Sequence, residues 1–226
     1  PLEPRLVAVI LLGGAVNIVA IYAFLSALGI EDLSVVAPLR QSTPVLVALV
    51  EPLVLAAAFD PRLVGAALAA AAGAYVLLAD SPLAPISRLG ERATLLALAA
   101  AALFAVASLA ARYATVRVPP LFYAFTVYLL MALGFAAIRA YRSGTVPVRS
   151  LAKPRLLALG ALTAVRTSVA YLAFSFPDAS ASAVTVVLQV SIVLDVLAGG
   201  TLFGEEHVPR RLLGAGLIVA GVVLTL

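Results

Sequence analysis

The sequence predicts an all-α polytopic membrane protein, and three observations carry that prediction. Of its 226 residues 64% are hydrophobic, the mean hydropathy is +1.15, and only 12% are charged, against about a quarter in a soluble domain. Apolar runs of about 18 residues or more recur, each long enough to cross ~30 Å of hydrocarbon at ~1.5 Å rise per residue. Nearly all Arg and Lys stand at the ends of those runs, where loops meet lipid headgroups, so membrane topology explains the net charge of +4 better than a nucleic-acid partner does.

Eight spans follow, at about 5–27, 33–58, 62–79, 93–115, 120–140, 156–176, 180–203 and 209–226. The first carries Asn17 and Tyr22. The second, "VVAPLRQSTPVLVALVEPLVLAAAF", contains Arg40, Gln41 and Glu51 together with Pro38, Pro44 and Pro52. A basic or acidic residue at the centre of a span costs roughly 2.5–3.5 kcal/mol, so these charges need partners or a wet cavity. At 100° per residue Arg40, Pro44, Val47 and Glu51 form one stripe that is suited to facing such a cavity. Arg40 and Glu51 would be about 16 Å apart along one helix and cannot pair with each other. All three prolines are expected to interrupt this helix.

The third span has small residues at Gly65, Ala69 and Gly73, a spacing expected to serve helix packing. The fourth ends in Arg112, with Arg117 close behind, and both are expected to snorkel to the interface. The sixth holds Arg166 at its middle. The seventh holds Gln189, Ser191 and Asp195, with Asp195 within reach of Arg166 for an ion pair, and the eighth is Gly-rich at Gly214 and Gly221. His207, Glu205 and Glu206 fall in the last connector and read as solvated loop or cap charges. Only residues 80–92 and 141–155 form connectors longer than a tight turn, and the first divides the chain into two halves.

A shift of 148 residues lays 34–78 over 182–226 with 12 identities, among them Gln41 with Gln189, Pro61 with Pro209, Arg62 with Arg210 and Gly73 with Gly221. At a shift of 149, Tyr22 and Ser26 meet Tyr171 and Ser175. Spans one to three thus repeat as spans six to eight. Five spans separate each copy from its mate, an odd number, so the repeat is inverted across the membrane, as in many secondary transporters. The expected unit has five helices. Spans four to eight form a complete second unit, and the first unit shows only its last three, so two further helices are expected upstream of Pro1 and the chain reads as a fragment. The expected division is 1–80, a connector at 81–92, and 93–226.

These residues resemble the EamA-type branch of the drug/metabolite transporter superfamily. The resemblance rests on "LFGEEHVPRRLLGAGLIVAGVVL", with Gly204-Glu205 before a Gly-rich last helix, and on Pro44 at the mid-helix proline of the first copy. Ile192 replaces the second-copy proline and Ala57 the first-copy glutamate. The resemblance implies ten helices in two inverted halves around a central pathway, in a prokaryotic plasma membrane.

Cysteine is absent, which removes disulfides, thiolate chemistry and most structural metal sites. No Walker-type loop, His/Glu metal spacing or nucleophile elbow occurs, so neither enzymatic activity nor a cofactor is expected, and uphill transport would draw on an ion gradient or exchange. The expected function is secondary transport of a small organic metabolite by alternating access, within the bilayer and without a nucleic-acid partner. The substrate-site candidates are Asn17, Arg40, Gln41, Glu51, Arg166, Gln189 and Asp195. Two basic residues at membrane depth, Arg40 and Arg166, favour an anionic or zwitterionic cargo such as an amino acid or other carboxylate. Two rivals stand: a non-transporting membrane subunit in which these residues only bind helices together, and a lipid-handling flippase. Orientation is open, because the basic connectors point to a cytoplasmic 141–155 whereas the resemblance implies the reverse. Oligomeric state is not encoded in any of these features.

Overall fold

The computed structural model describes residues 3–78, 90–144, 153–193 and 208–225. Among them nine helices and no strand are present: α1 (Pro4–Leu28), α2 (Leu33–Arg40), α3 (Thr43–Leu55), α4 (Pro61–Leu78), α5 (Arg92–Thr115), α6 (Pro120–Ser143), α7 (Pro154–Ser175), α8 (Ala181–Leu188) and α9 (Val208–Val223). Four of the helices, α1, α5, α6 and α7, are long and apolar enough to cross a membrane. Proline opens α1, α4, α6 and α7, where its missing N–H costs nothing and its fixed φ suits the first turn. Gly144, at φ 69°, terminates α6 in the left-handed conformation that glycine adopts without strain.

The second expected span is not one helix. It breaks between Arg40 and Thr43, because Pro44 has no N–H for the Arg40 carbonyl and its ring crowds that oxygen. The gap is closed by tighter bonds, Gln41 N–H to Pro38 O and Ser42 N–H to Leu39 O. The freed carbonyls take hydroxyls instead: Thr43 Oγ1 donates to Arg40 O at 2.8 Å and Ser42 Oγ to Leu39 O at 2.8 Å. Pro38 and Pro52, expected to interrupt as well, lie inside continuous α2 and α3, each costing one bond without a break. The seventh span breaks at the matching position. α8 stops at Leu188, Gln189 is a turn whose N–H bonds Val186 O, Ser191 Oγ donates to Leu188 O, and helix resumes at 190–193. The rest of that expected span lies outside the described residues.

α5 occupies the centre of the bundle. Half of its apolar window is buried, against 17% for α6 and 11% for α7, whose Leu129, Leu133, Leu162 and Val165 face outward as lipid-facing residues do. Its buried face is almost entirely alanine, including Ala97, Ala100, Ala101, Ala105 and Ala111, which lets α1 and α3 approach closely. The main core lies between α1, α3, α5, α6, α7 and α8, where Ile10, Val47, Leu109, Phe174 and Val184 meet an edge-to-face pair of Tyr123 and Tyr171, ring centroids 4.9 Å apart.

α4 and α9 pack through glycine. A Cβ on Gly73 would stand 2.5 Å from Gly214 O, and one on Gly221 would stand 2.6 Å from Ala66 O. The 148-residue shift carries position 66 to 214 and 73 to 221, so each contact is the image of the other. The order reverses along the two helices, which are therefore antiparallel and related by a two-fold axis across them. That is the geometry of an inverted repeat. Gly65, expected to pack in the same stripe, meets nothing within 4 Å, because the contact runs along the Ala66, Ala70 and Gly73 face instead.

Candidate functional site

The two helix breaks face one another. Gln189 Nε2 reaches the backbone oxygen of Gln41, its repeat mate, at 3.5 Å, and both residues are buried. Beside them is a cavity of about 160 Å³, walled by Arg40, Gln41, Thr43 and Pro44 from the first break, by Thr185, Leu188, Gln189, Ser191 and Ile192 from the second, by Phe104 and Ser108 of α5, and by Arg166 of α7. Four of the seven candidates therefore converge here: Arg40, Gln41, Arg166 and Gln189. Broken helices supply such a site with backbone dipoles as well as side chains.

The Arg40 guanidinium is held by rings. Its carbon lies 5.3 Å from the Phe24 centroid and 5.4 Å from that of Phe104, two cation–π contacts of about 0.5–2 kcal/mol each. Arg166 Nη2 stands 3.4 Å from Ser191 Oγ. Among the described residues no carboxylate forms an ion pair with either guanidinium. Two like charges thus line one small cavity, a costly arrangement unless an anion joins them.

The other candidates lie elsewhere. Asn17 donates from Nδ2 to Gly13 O at 2.8 Å on its own helix and does not line the cavity. Asp195, with its expected ion pair to Arg166, lies outside the described residues, as do Glu205, Glu206 and His207. Glu51 is 4% exposed and meets polar protein groups, as an apolar setting demands. Its Oε1 accepts the Ala181 N–H at 2.6 Å, and its Oε2 accepts the Ser182 N–H at 2.8 Å and the Ser182 hydroxyl at 2.7 Å. It borders a second, larger hollow of about 610 Å³ at the end of the bundle where α3, α5 and the α7–α8 turn meet.

Arg112 lines the same hollow. Its Nη1 donates to Phe174 O and Phe176 O, both at 2.7 Å, and its Nη2 donates to Pro177 O at 2.8 Å, so it holds the carbonyls at the end of α7. A cation at a helix C-terminus and a carboxylate at the next N-terminus both match the helix dipoles. Arg112→Ala is expected to destabilise the protein by about 3 kcal/mol, seen as a lower melting temperature in detergent, because three carbonyls lose charge-assisted partners. Arg112→Lys is expected to recover only part, since a point charge cannot fork to three acceptors.

Sequence reasoning missed Thr43, Phe104, Ser108 and Thr185 as wall residues of the cavity, whereas Ser191 stood out with Gln189 among the polar residues of the seventh span. The repeat carried a signal for Thr43, since 43 maps onto 191 and both hydroxyls bond the carbonyl three residues back.

A model of the EamA-like transporter family matches residues 91–226, more than half of the chain. The chain belongs to the EamA-like transporter family. A solved crystal structure resembles this EamA-like protein with a TM-score of 0.75 and 22% identity, over 99% of this chain and 76% of that one, a likeness of fold. No curated protein matches it in sequence. The EamA-like chain is thus a polytopic membrane protein of the drug/metabolite transporter type.

Proposed function

We propose that this chain is a secondary transporter of the prokaryotic plasma membrane that moves a small carboxylate-bearing metabolite, with an amino acid as one such cargo, by alternating access around the cavity between the two helix breaks. The observation that carries the reading is the pairing of Arg40 and Arg166, one from each half of the proposed 1–80 and 93–226 division, around a space with no carboxylate partner among the described residues. A planar guanidinium binds a carboxylate through two parallel hydrogen bonds, and Gln41, Gln189, Thr43 and Ser191 offer further polar atoms around it. At about 160 Å³ the cavity is smaller than the ~300–1,000 Å³ of drug-sized sites, which favours the smallest organic anions. No cofactor enters this scheme, and catalysis is no part of it.

Flux of a metabolite panel into proteoliposomes tests the proposal. Carboxylate-bearing solutes are expected to enter, and Arg166→Gln is expected to abolish their uptake while leaving the melting temperature of the protein within a few degrees of the parent. Undiminished uptake by Arg166→Gln, or uptake restricted to neutral and cationic solutes, would return Arg166 to a helix-binding role.

A further inference from the structure

The geometry at Glu51 points to a latch between the two halves: we propose that this carboxylate closes the floor of the 610 Å³ vestibule over the central cavity, and that each transport cycle requires it to release α8. The inference rests on the transport reading for its role in a cycle, but the closure itself is read from position and bonding.

The first turn of α8 has three N–H groups to satisfy from outside the helix. Ser180 takes the third, its Oγ accepting the Ala183 N–H at 3.0 Å. The first two, on Ala181 and Ser182, go to Glu51, which is 130 residues away and belongs to the other half. The Ser182 hydroxyl adds a third donor to the same carboxylate. A chain that needed only a helix cap has a cheaper one available locally, as Ser180 demonstrates. What Glu51 adds is a tie between α3 and α8.

That tie stands on the boundary between two spaces. Above it Glu51 itself, with Ser180 and Pro177, borders the vestibule. Below it Thr185, one turn further along α8, already lines the central cavity. On α3, Glu51 is eight residues from Thr43, about 12 Å along the axis, and the interval is filled by Val47, which has no exposed surface. α3 and α8 lying together are therefore the wall, and Glu51 fixes them at its outer edge. The device exists on one side only in the sequence, since the 148-residue shift takes Glu51 to Gly199.

All three groups facing Glu51 are donors, so an amide of the same shape must set its NH₂ against one of them. The chain has no cysteine, which makes an introduced thiol unique. In Ser108→Cys, the thiol sits in the central cavity, and Ala57→Cys in the vestibule serves as the reference for reagent reaching that face. With a membrane-impermeant thiol reagent applied to reconstituted protein, adding Glu51→Gln to Ser108→Cys is expected to speed labelling about tenfold, the worth of one charge-assisted hydrogen bond. Ser182→Ala, a milder change that keeps both backbone bonds, is expected to speed it by a smaller factor, and it covers the case in which Glu51→Gln does not fold. In Glu51→Cys/Ser182→Cys, a short bis-methanethiosulfonate, which joins the two thiols through disulfides and releases methanesulfinate, is expected to stop solute exchange, and cleavage of those disulfides by dithiothreitol to restore it. Unchanged labelling in both the Gln and Ala variants, or full exchange while the cross-link is in place, overturns the latch. Labelling needs no knowledge of the cargo, so faster labelling with no carboxylate uptake would sink the substrate proposal and leave the latch standing.

Discussion

Gly73→Ala is expected to lower the stability of the protein by about 2 kcal/mol or more, although alanine is favoured over glycine within a helix by about 1 kcal/mol. The new Cβ would stand 2.5 Å from Gly214 O and 2.8 Å from both Ile218 N and Ile218 Cγ1. Two of those three are backbone atoms of α9, which can move away only by shifting the helix. Gly65→Ala is the internal control. Its Cβ meets nothing within 4 Å, so propensity acts alone and the variant is expected to melt slightly above the parent. Thermal melts of the two variants in one detergent decide the matter, and equal shifts in the same direction would show that α4 and α9 do not touch as described.

Under the proposed carboxylate transport, the largest functional effect is expected from Arg40→Gln, with uptake falling about a hundredfold as the charge-assisted bonds to cargo are lost. Folding should survive, because the change also removes the repulsion between Arg40 and Arg166. Arg40→Lys is expected to rescue poorly. The Phe24 and Phe104 rings both lie in contact with a flat cation, and an ammonium offers neither the planar face nor the fork. Initial rates beside melting temperatures separate the outcomes, and near-parental uptake by Arg40→Gln would remove Arg40 from the cargo site.

Much of this architecture was legible in the sequence, and the exceptions share a cause. The spans were legible because hydropathy and length are properties of contiguous residues, and the repeat because Gln41 and Gln189 stand out against an apolar background. The first break was foreshadowed by Pro44. The second was hidden, since Ile192 stands where proline would be, and only the repeat could have carried the expectation across. The partners of Arg112 and Glu51 were hidden for a different reason. They are backbone carbonyls 62–65 residues away and backbone N–H groups 130 residues away. A search for charged side chains of opposite sign cannot find a helix end, because a helix end is not a residue type. Asn17 illustrates the converse: a polar residue in a span was satisfied by Gly13 of its own helix and needed no cavity.

The paired contacts of α4 and α9 bear on the balance of the proposed transport cycle. Where Gly73 meets Gly214 and Gly221 meets Ala66, each half presents to the other what the other presents to it. If the two conformations of an inverted repeat arise when the halves exchange shapes, an interface straddling the two-fold axis is mapped onto itself and has the same energy before and after. Tightening or loosening this helix pair then changes how firmly the halves adhere but not which side of the membrane the protein prefers to face. That preference has to reside away from this interface where the copies differ, as at Pro44 against Ile192 and at Glu51 against Gly199, so drift in α4 and α9 is free to tune durability without disturbing direction.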